Sequence, residues 1–162
     1  MNFFLTIRTY GTWLHGDERG SVDAEHNQVG SPLIPSNPRW HGYRASLMKT
    51  PAVVLDEAAL RCVEGAIDDV ATYRGWTLHA RHARSNHVHI AVSSVDSPDK
   101  MSMNFKAYAT RDLRRNQHFA AKADIWAEGA SKRFFNSEEE LMRIDNYIVF
   151  EQDKQKPEAS TR

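Results

Sequence analysis

Two histidines separated by one residue, His87 and His89, begin an apolar stretch that runs to Val92. Alternate side chains of a β-strand point to the same side of the sheet, so both imidazoles face one way while Val88 faces the other. Neutral imidazole is a common ligand of divalent metals. The pair therefore predicts half of a divalent-metal site, and the plain alternative is a chance His-x-His on a strand.

A tyrosine near the end of the chain offers a nucleophile for phosphate chemistry. Tyr147 and Glu151 are four residues apart in a predicted helix and so share a face, with Gln152 as the neighbouring alternative. Hard divalent ions that bind phosphate prefer oxygen ligands, which a carboxylate beside two histidines would supply. A phenol has a pKa of about 10 and needs such an ion to attack a phosphodiester. The attack would form a covalent phosphotyrosine and release a 3′-hydroxyl; the plain alternative is an aromatic at the rim of the core.

Positive charge is concentrated in two segments of a chain whose formal net charge is +0. Zero net charge argues against holding nucleic acid by bulk charge, but a basic face on a neutral protein remains compatible with it. Residues 74–89 contain no acid, and residues 100–122 contain Asp112 alone. The cations predicted to contact DNA phosphates are Arg81, Arg84, Lys106, Arg111, Arg114 and Arg115.

Aromatic residues within the second basic segment have two interpretations. Tyr108 or Phe105 is predicted to stack on a base of a bound nucleic acid. Tyr108 is also the rival nucleophile to Tyr147, although its basic surroundings suit phosphate contact better. A solvated helix face is the plain alternative for the whole segment.

Hydrophobic periodicity assigns these residues to a small set of elements. Strands are predicted over residues 2–10, 76–82, 87–93 and 131–135, and helices over 55–73, 100–119 and from a capping box at 137–140 onward. The order predicts an α+β, ferredoxin-like fold: a βαββαβ antiparallel sheet with two helices on one face and an added C-terminal helix carrying Tyr147. The other face of the sheet is expected to be free for a site.

Composition and length set the remaining bounds. The chain has 162 residues, 41% hydrophobic and 26% charged, which is ordinary for a globular protein and argues against disorder. We expect one domain over residues 1–152, a long inserted loop over 17–50 and a disordered tail over 153–162. No apolar run approaches the roughly 20 residues of a membrane span, and no signal peptide is recognised, so we expect a cytoplasmic protein. The single Cys62 is expected to be a structural thiol.

The motifs together resemble a known family. The segment SNHVHI at 85–90 resembles the HUH motif of the single-tyrosine transposases of small bacterial insertion sequences and of the REP-associated tyrosine transposases. The further similar segments are IW at 125–126, SKRFF at 131–135, NYI at 146–148, YGTWL at 10–14 and GDERG at 16–20. The likeness extends over most of residues 2–152.

The resemblance implies cleavage and rejoining of single-stranded DNA, usually at foldback hairpins, by a homodimer that uses Mg²⁺ or Mn²⁺. It implies Tyr147 as the nucleophile of a 5′-phosphotyrosine intermediate, with His87 and His89 as metal ligands. Many members carry Gln four residues after the tyrosine as the third ligand. This sequence has Glu151 at that position and Gln152 after it, so Glu151 is the preferred third ligand and Gln152 the alternative.

Two other functions compete with this interpretation. A catalytically silent or domesticated nucleic-acid-binding protein on the same fold would need aromatic residues on the open face of the sheet, where this sequence has histidines. A hydrolytic phosphoesterase using His87 and His89 as acid and base would need a second His-x-Thr/Ser motif, and the sequence contains none. Both features favour the transesterase.

Overall fold

Four antiparallel strands form a single sheet in the computed structural model, which describes residues 1–21 and 32–151, the last of these by its backbone alone. The strands are β1 (Asn2–Arg8), β2 (Thr77–Ala83), β3 (His87–Ser93) and β4 (Ser131–Phe135). Their order is β2-β3-β1-β4, so β1 and β3 are central. The helices are α1 (Pro38–Ser46), α2 (Glu57–Arg74), α3 (Pro98–Arg115) and α4 (Glu138–Asn146), and a π-helix follows over Tyr147–Glu151. The predicted βαββαβ arrangement is confirmed.

Alternation along the central strands divides their side chains between two environments. Leu5 and Ile7 of β1 join Val88 and Ile90 of β3 in the main core, which α2 and α3 cover. Residues of opposite parity, among them His89, lie on the other face of the sheet. The prediction that both histidines share one face and Val88 enters the core is therefore confirmed.

Capping residues explain where α2 and α3 differ from the predicted limits. The Asp56 side chain accepts a hydrogen bond from the Ala59 N–H, so α2 begins after Asp56 rather than at Leu55. The Ser97 side chain accepts from the Lys100 N–H, and Pro98 occupies the first turn, so α3 begins earlier than predicted. That helix ends at Arg115 rather than at residue 119. No helix among the described residues is long and apolar enough to cross a membrane.

Helix α1 corrects the prediction of an unbroken loop over 17–50. The Asn37 side chain accepts a hydrogen bond from the Trp40 N–H, and Pro38 occupies the first turn. None of the residues of α1 is buried, so the helix has no apolar stripe for a periodicity search to detect. It packs on the 12–21 segment, where the Trp40 ring stacks on His15 with centroids 5.0 Å apart. Residues 22–31 of the predicted loop lie outside the described residues.

We expect Gly16→Ala to detach α1 from the 12–21 segment. Gly16 has φ +84°, and a Cβ there would lie 2.5 Å from the Asn37 carbonyl oxygen and 2.6 Å from the His41 nitrogen. Because both contacts are backbone and the φ is left-handed, the substitution should cost about 1–3 kcal/mol of local stability. The check is limited proteolysis, with faster cleavage within α1. The control is Gly42→Ala, whose Cβ would meet nothing within 4 Å; equal cleavage of the two variants would contradict the expectation.

The last helical segment packs on the sheet face opposite α2 and α3. Ser137 accepts a hydrogen bond from the Glu140 N–H, which confirms the predicted N-cap, whereas the Glu140 carboxylate accepts from the N–H of Asn136, one residue before the cap. Ile144 and Ile148 are buried in a second cluster with sheet residues. The face that we expected to be free is therefore partly covered by α4 and the π-helix.

The C-terminal helix is not regular through Glu151, which corrects a second prediction. Regular α-helix ends at Asn146, and a π-helix covers Tyr147–Glu151. A π-helix closes its hydrogen bonds over five residues instead of four. The four-residue spacing used to place Tyr147 and Glu151 on one face therefore does not apply unchanged. The alternative residue Gln152 and the predicted tail over 153–162 lie outside the described residues.

Candidate active site

A cavity of about 950 Å³ lies between the second face of the sheet and α4. The residues predicted to do chemistry that line it are His87, His89, Tyr147 and Arg84. The two histidines project from β3, while Tyr147 comes from the C-terminal segment that packs above the sheet. The fold thus brings the predicted nucleophile to the predicted metal ligands.

The two imidazoles are held in orientations that suit metal ligation. Their ring centroids are 4.6 Å apart, and the planes cross at 69°. His87 Nδ1 lies 2.6 Å from the Asn86 Oδ1, and because an amide oxygen only accepts, that nitrogen carries the proton. His89 Nδ1 lies 2.9 Å from the Thr6 hydroxyl. A hydrogen-bond partner at Nδ1 fixes the orientation of the ring. When Nδ1 is protonated, the lone pair that can bind a metal is on Nε2. Metal-binding histidines commonly have such a partner.

Burial keeps His89 neutral. The residue is 6% exposed, and its pKa is lowered to about 3, chiefly by burial and to a lesser extent by the neighbouring His87, His82, Arg84 and Arg8. A neutral imidazole has the lone pair that a metal needs. The Phe4 ring stacks on His89 with centroids 5.1 Å apart and covers it from the apolar side.

Tyr147 is held over the sheet at the point where α4 becomes a π-helix. Its ring is half-buried, with its centroid 5.6 Å from that of His89 and 6.3 Å from that of Phe4. Buried Ile144 and Ile148 anchor the segment on either side of it. Irregular helical turns of this kind are frequent at functional sites. The phenol is therefore positioned beside the imidazoles by apolar packing.

The donor set fits a divalent ion in part. Two neutral imidazoles with orienting partners are suitable ligands, and Thr6 and Asn86 supply the orientation. Within residues 1–21 and 32–151, no group of three His, Cys, Asp or Glu residues could hold a metal. Glu151 ends the π-helix, but its side chain is outside the description, so its role as third ligand stays a prediction.

Arginines dominate the charge of the cavity. Besides Arg84, the lining contains Arg8, Arg133 and Arg143, with Glu140 as the one carboxylate among the described residues that line it. Burial, followed by the positive charge of Arg19, lowers the pKa of Arg8. Sequence inspection missed Arg8, Arg133 and Arg143 as site residues. Arg8 could have been found from the alternation of side chains along β1. It lies on the same side of the strand as Thr6, and the apolar Leu5 and Ile7 lie on the other side.

Arg81 and Lys106, two of the predicted DNA-binding cations, bind groups of the protein outside the cavity. Arg81 forms ion pairs with Glu64 and Asp68 of α2, at 2.8 and 2.7 Å. Lys106 donates to the Ala127 carbonyl oxygen at 2.8 Å and also to that of Gly129. Burial lowers the pKa of Lys106. The structure places neither residue in the lining of the cavity.

Four other predicted DNA-binding residues, Tyr108, Arg111, Arg114 and Arg115, lie on α3, across the sheet from the cavity. Arg111 lies over the Tyr108 ring at 4.4 Å, and Arg111 and Arg115 approach Asp112 at 3.6 and 3.7 Å. Arg114 donates to the Ala123 carbonyl oxygen at 3.3 Å. The structure therefore does not bring this cluster to the histidines. Because Tyr108 packs against the main core, the rival nucleophile is not beside the predicted metal ligands.

Comparison with known proteins identifies structural relatives. The chain is similar to a REP-associated tyrosine transposase bound to a REP hairpin, with a TM-score of 0.51 and 12% identity over 94% of this chain and 67% of the other. It is also similar to a candidate transposase from Deinococcus radiodurans R1, with a TM-score of 0.48 and 16% identity over 91% of this chain and 88% of that one. No family model and no curated protein matches the sequence. The chain thus shares the α+β fold of the tyrosine transposase.

Proposed function

We propose that this protein is a transposase-type enzyme that nicks and rejoins single-stranded or hairpin DNA through a 5′-phosphotyrosine intermediate. The observation that carries the proposal is the meeting of Tyr147 with His87 and His89 in one cavity, with the tyrosine ring 5.6 Å from that of His89. The likeness in fold to a tyrosine transposase supports it. Four arginines in the lining suit a polyanionic substrate.

In the proposed reaction the Tyr147 oxygen attacks the phosphorus of a phosphodiester. The bond from phosphorus to the 3′ oxygen breaks, the phenol gives up its proton, and the 3′ oxygen gains one. The DNA 5′ phosphate is then joined to Tyr147, and a later attack by a 3′-hydroxyl reverses the exchange and reseals a strand. The step conserves the number of phosphodiester bonds, so rejoining needs no external energy source.

We propose that His87 and His89, with Glu151 or alternatively Gln152, hold Mg²⁺ or Mn²⁺. When bound, the ion would polarise the phosphate and stabilise the charge that develops on it. The residues of the chain perform the rest: Asn86 and Thr6 orient the imidazoles, and Phe4 packs against His89 and Tyr147. The arginines of the cavity would contact the DNA backbone without reading its sequence.

The basic surface of α3 has a separate place in the proposal. Arg111, Arg114 and Arg115 are exposed on the far side of the sheet, so they would contact DNA that extends beyond the cavity. Tyr108 is partly buried beneath Arg111, which leaves less of its ring for base stacking. A homodimer, as the resemblance implies, is the proposed assembly, because small oligomers are most often two-fold; light scattering of the free protein and of its DNA complex measures it.

The test is incubation of the protein with end-labelled hairpin and single-stranded DNA in the presence of Mn²⁺. We expect a protein–DNA adduct that survives denaturation and disappears when the protein is digested. Binding without an adduct on any DNA of the panel would instead indicate a catalytically silent nucleic-acid-binding protein. The two phenylalanines on this sheet face do not favour that alternative, because Phe135 is 2% exposed beneath α4 and the ring of Phe4 is stacked on His89.

A further inference from the structure

Arg8 lies directly beside the histidine pair. It is the last residue of β1 and pairs with His87 of β3 in the antiparallel register. Directly opposed side chains of an antiparallel pair are on the same face and close together. The guanidinium group of Arg8 therefore enters the cavity next to His87, and it is among the residues that line it.

A series of contacts from the 12–20 segment holds this guanidinium in place. Arg8 lies over the Trp13 ring, 4.2 Å from its centroid, and Arg19 lies over the same ring at 4.2 Å. The Trp13 ring nitrogen donates to the Gly20 carbonyl oxygen at 2.7 Å. Asp17 accepts two hydrogen bonds from the Arg19 guanidinium, each at 2.7 Å. Trp13 is thus a fixed platform for Arg8.

Burial, followed by the positive charge of Arg19, lowers the pKa of Arg8 by more than the carboxylate of Asp17 raises it. No described residue forms a hydrogen bond or ion pair with the guanidinium group of Arg8, which contacts the Trp13 ring. Asp17 is already bound by Arg19, which lowers the pKa of that carboxyl to about 2. A half-buried cation beside other cations is unfavourable until an anion arrives.

The geometry suits one class of anion. A guanidinium group presents several N–H donors in a planar fork, which matches two oxygens of a phosphate. A phosphodiester of DNA has two non-bridging oxygens and one negative charge, and it is repeated along the strand. The position of Arg8 beside His87 places such a group next to the site where Tyr147 would act.

We propose that Arg8, positioned by Trp13, forms a phosphodiester-binding subsite at this end of the cavity. The subsite rests on the proposed function, since it anchors the backbone of the DNA that Tyr147 would cleave. Its contact is to phosphate and does not depend on base sequence. Trp13 acts through Arg8 as a positioning residue, because its ring is committed to the two guanidinium groups.

The test measures binding of a fluorescein-labelled hairpin DNA by anisotropy at several salt concentrations, in a Tyr147→Phe background that cannot turn over. Arg8→Gln should weaken binding about 10- to 100-fold, the range for a hydrogen-bonded charge contact. The slope of log affinity against log salt should fall by about 0.7 if the lost phosphate contact is to the single-stranded part of the hairpin, and by about 0.9 if it is to the duplex stem. Arg8→Lys should retain the slope and recover part of the affinity, because an ammonium group keeps the charge and loses the fork.

The matched control is Arg61→Gln, which removes the same charge from an exposed ion pair with Glu57 on α2. It should leave both affinity and slope unchanged. An Arg8→Gln protein that behaves like the control would overturn the subsite. So would a loss of affinity with an unchanged slope, because that pattern indicates a structural role for Arg8. Circular dichroism confirms that each variant is folded, and Trp13→Phe should bind more weakly than the background with its slope retained.

The outcomes separate this subsite from the proposed reaction. If the protein with Tyr147 intact forms no adduct but Arg8→Gln lowers the salt slope, the subsite stands and the chemistry is wrong. If the adduct forms and the Arg8 variants bind like the control, the chemistry stands and the subsite is wrong. If the unaltered protein binds no single-stranded or hairpin DNA, both are wrong.

Discussion

Tyr147→Phe is expected to eliminate the covalent protein–DNA adduct, with strand cleavage reduced at least about 10³-fold. The substitution removes the hydroxyl that attacks phosphorus and keeps the ring that contacts His89 and Phe4. Because the packing of the ring is preserved, the fold and the affinity for DNA should remain close to those of the unaltered protein. Denaturing gels of labelled hairpin DNA measure the adduct, and anisotropy measures binding.

The control for this prediction is Tyr108→Phe. It makes the same chemical change in the rival nucleophile, which packs against the main core on the far side of the sheet. The adduct should persist at a normal rate in Tyr108→Phe. If Tyr108→Phe loses the adduct and Tyr147→Phe retains it, the assignment of the nucleophile is wrong.

His87→Ala is expected to lower Mn²⁺ affinity and adduct formation together, each by at least about 100-fold. Removing a residue that only orients a metal ligand typically lowers metal affinity or activity about 10- to 100-fold, so removing the ligand itself should cost at least the upper end of that range. Titration calorimetry with Mn²⁺ alone gives a readout that does not depend on DNA. Removing metal from the unaltered protein with a chelator should abolish the adduct, and added Mn²⁺ should restore it.

His118→Ala is the matched control, since it removes an imidazole beyond the end of α3 and outside the cavity. It should bind Mn²⁺ and form adduct like the unaltered protein. Mn²⁺ binding that is unchanged in His87→Ala would show that the histidine pair does not hold the metal. If His87→Ala binds Mn²⁺ normally but forms no adduct, His87 would instead act on the DNA substrate.

Sequence patterns predicted the limits of two strands that line the cavity, β3 and β4. In β3 the reason is a run of apolar and β-branched residues that ends at serine, whereas β4 has two phenylalanines after three polar residues. The placement of His87 and His89 on one face of the sheet followed from the alternation of side chains along a strand alone. Strand parity is a local property, so it can be worked out without knowing what the strand packs against.

Features that depend on contacts distant in sequence could not be predicted in the same way. Arg81 appeared to be a cation available to DNA, and its neutralisation by Glu64 and Asp68 depends on how α2 packs beside β2. The π-helix at Tyr147 leaves no periodic signal, because five residues are too few to distinguish it from an α-helix. Local composition therefore located the residues that line the cavity beside Tyr147 better than it predicted the charged groups around them.

Trp13 gives the protein an intrinsic optical reporter of its cavity. Of the four tryptophans in the chain, Trp13 alone lines the cavity. Trp76 is buried and donates to Asp96, while Trp126 donates to Thr110 across the main core. Nearby cations shift indole emission, so an anion that draws Arg8 toward itself should change the fluorescence of Trp13 in particular. Occupancy of the cavity can thus be followed without any added label.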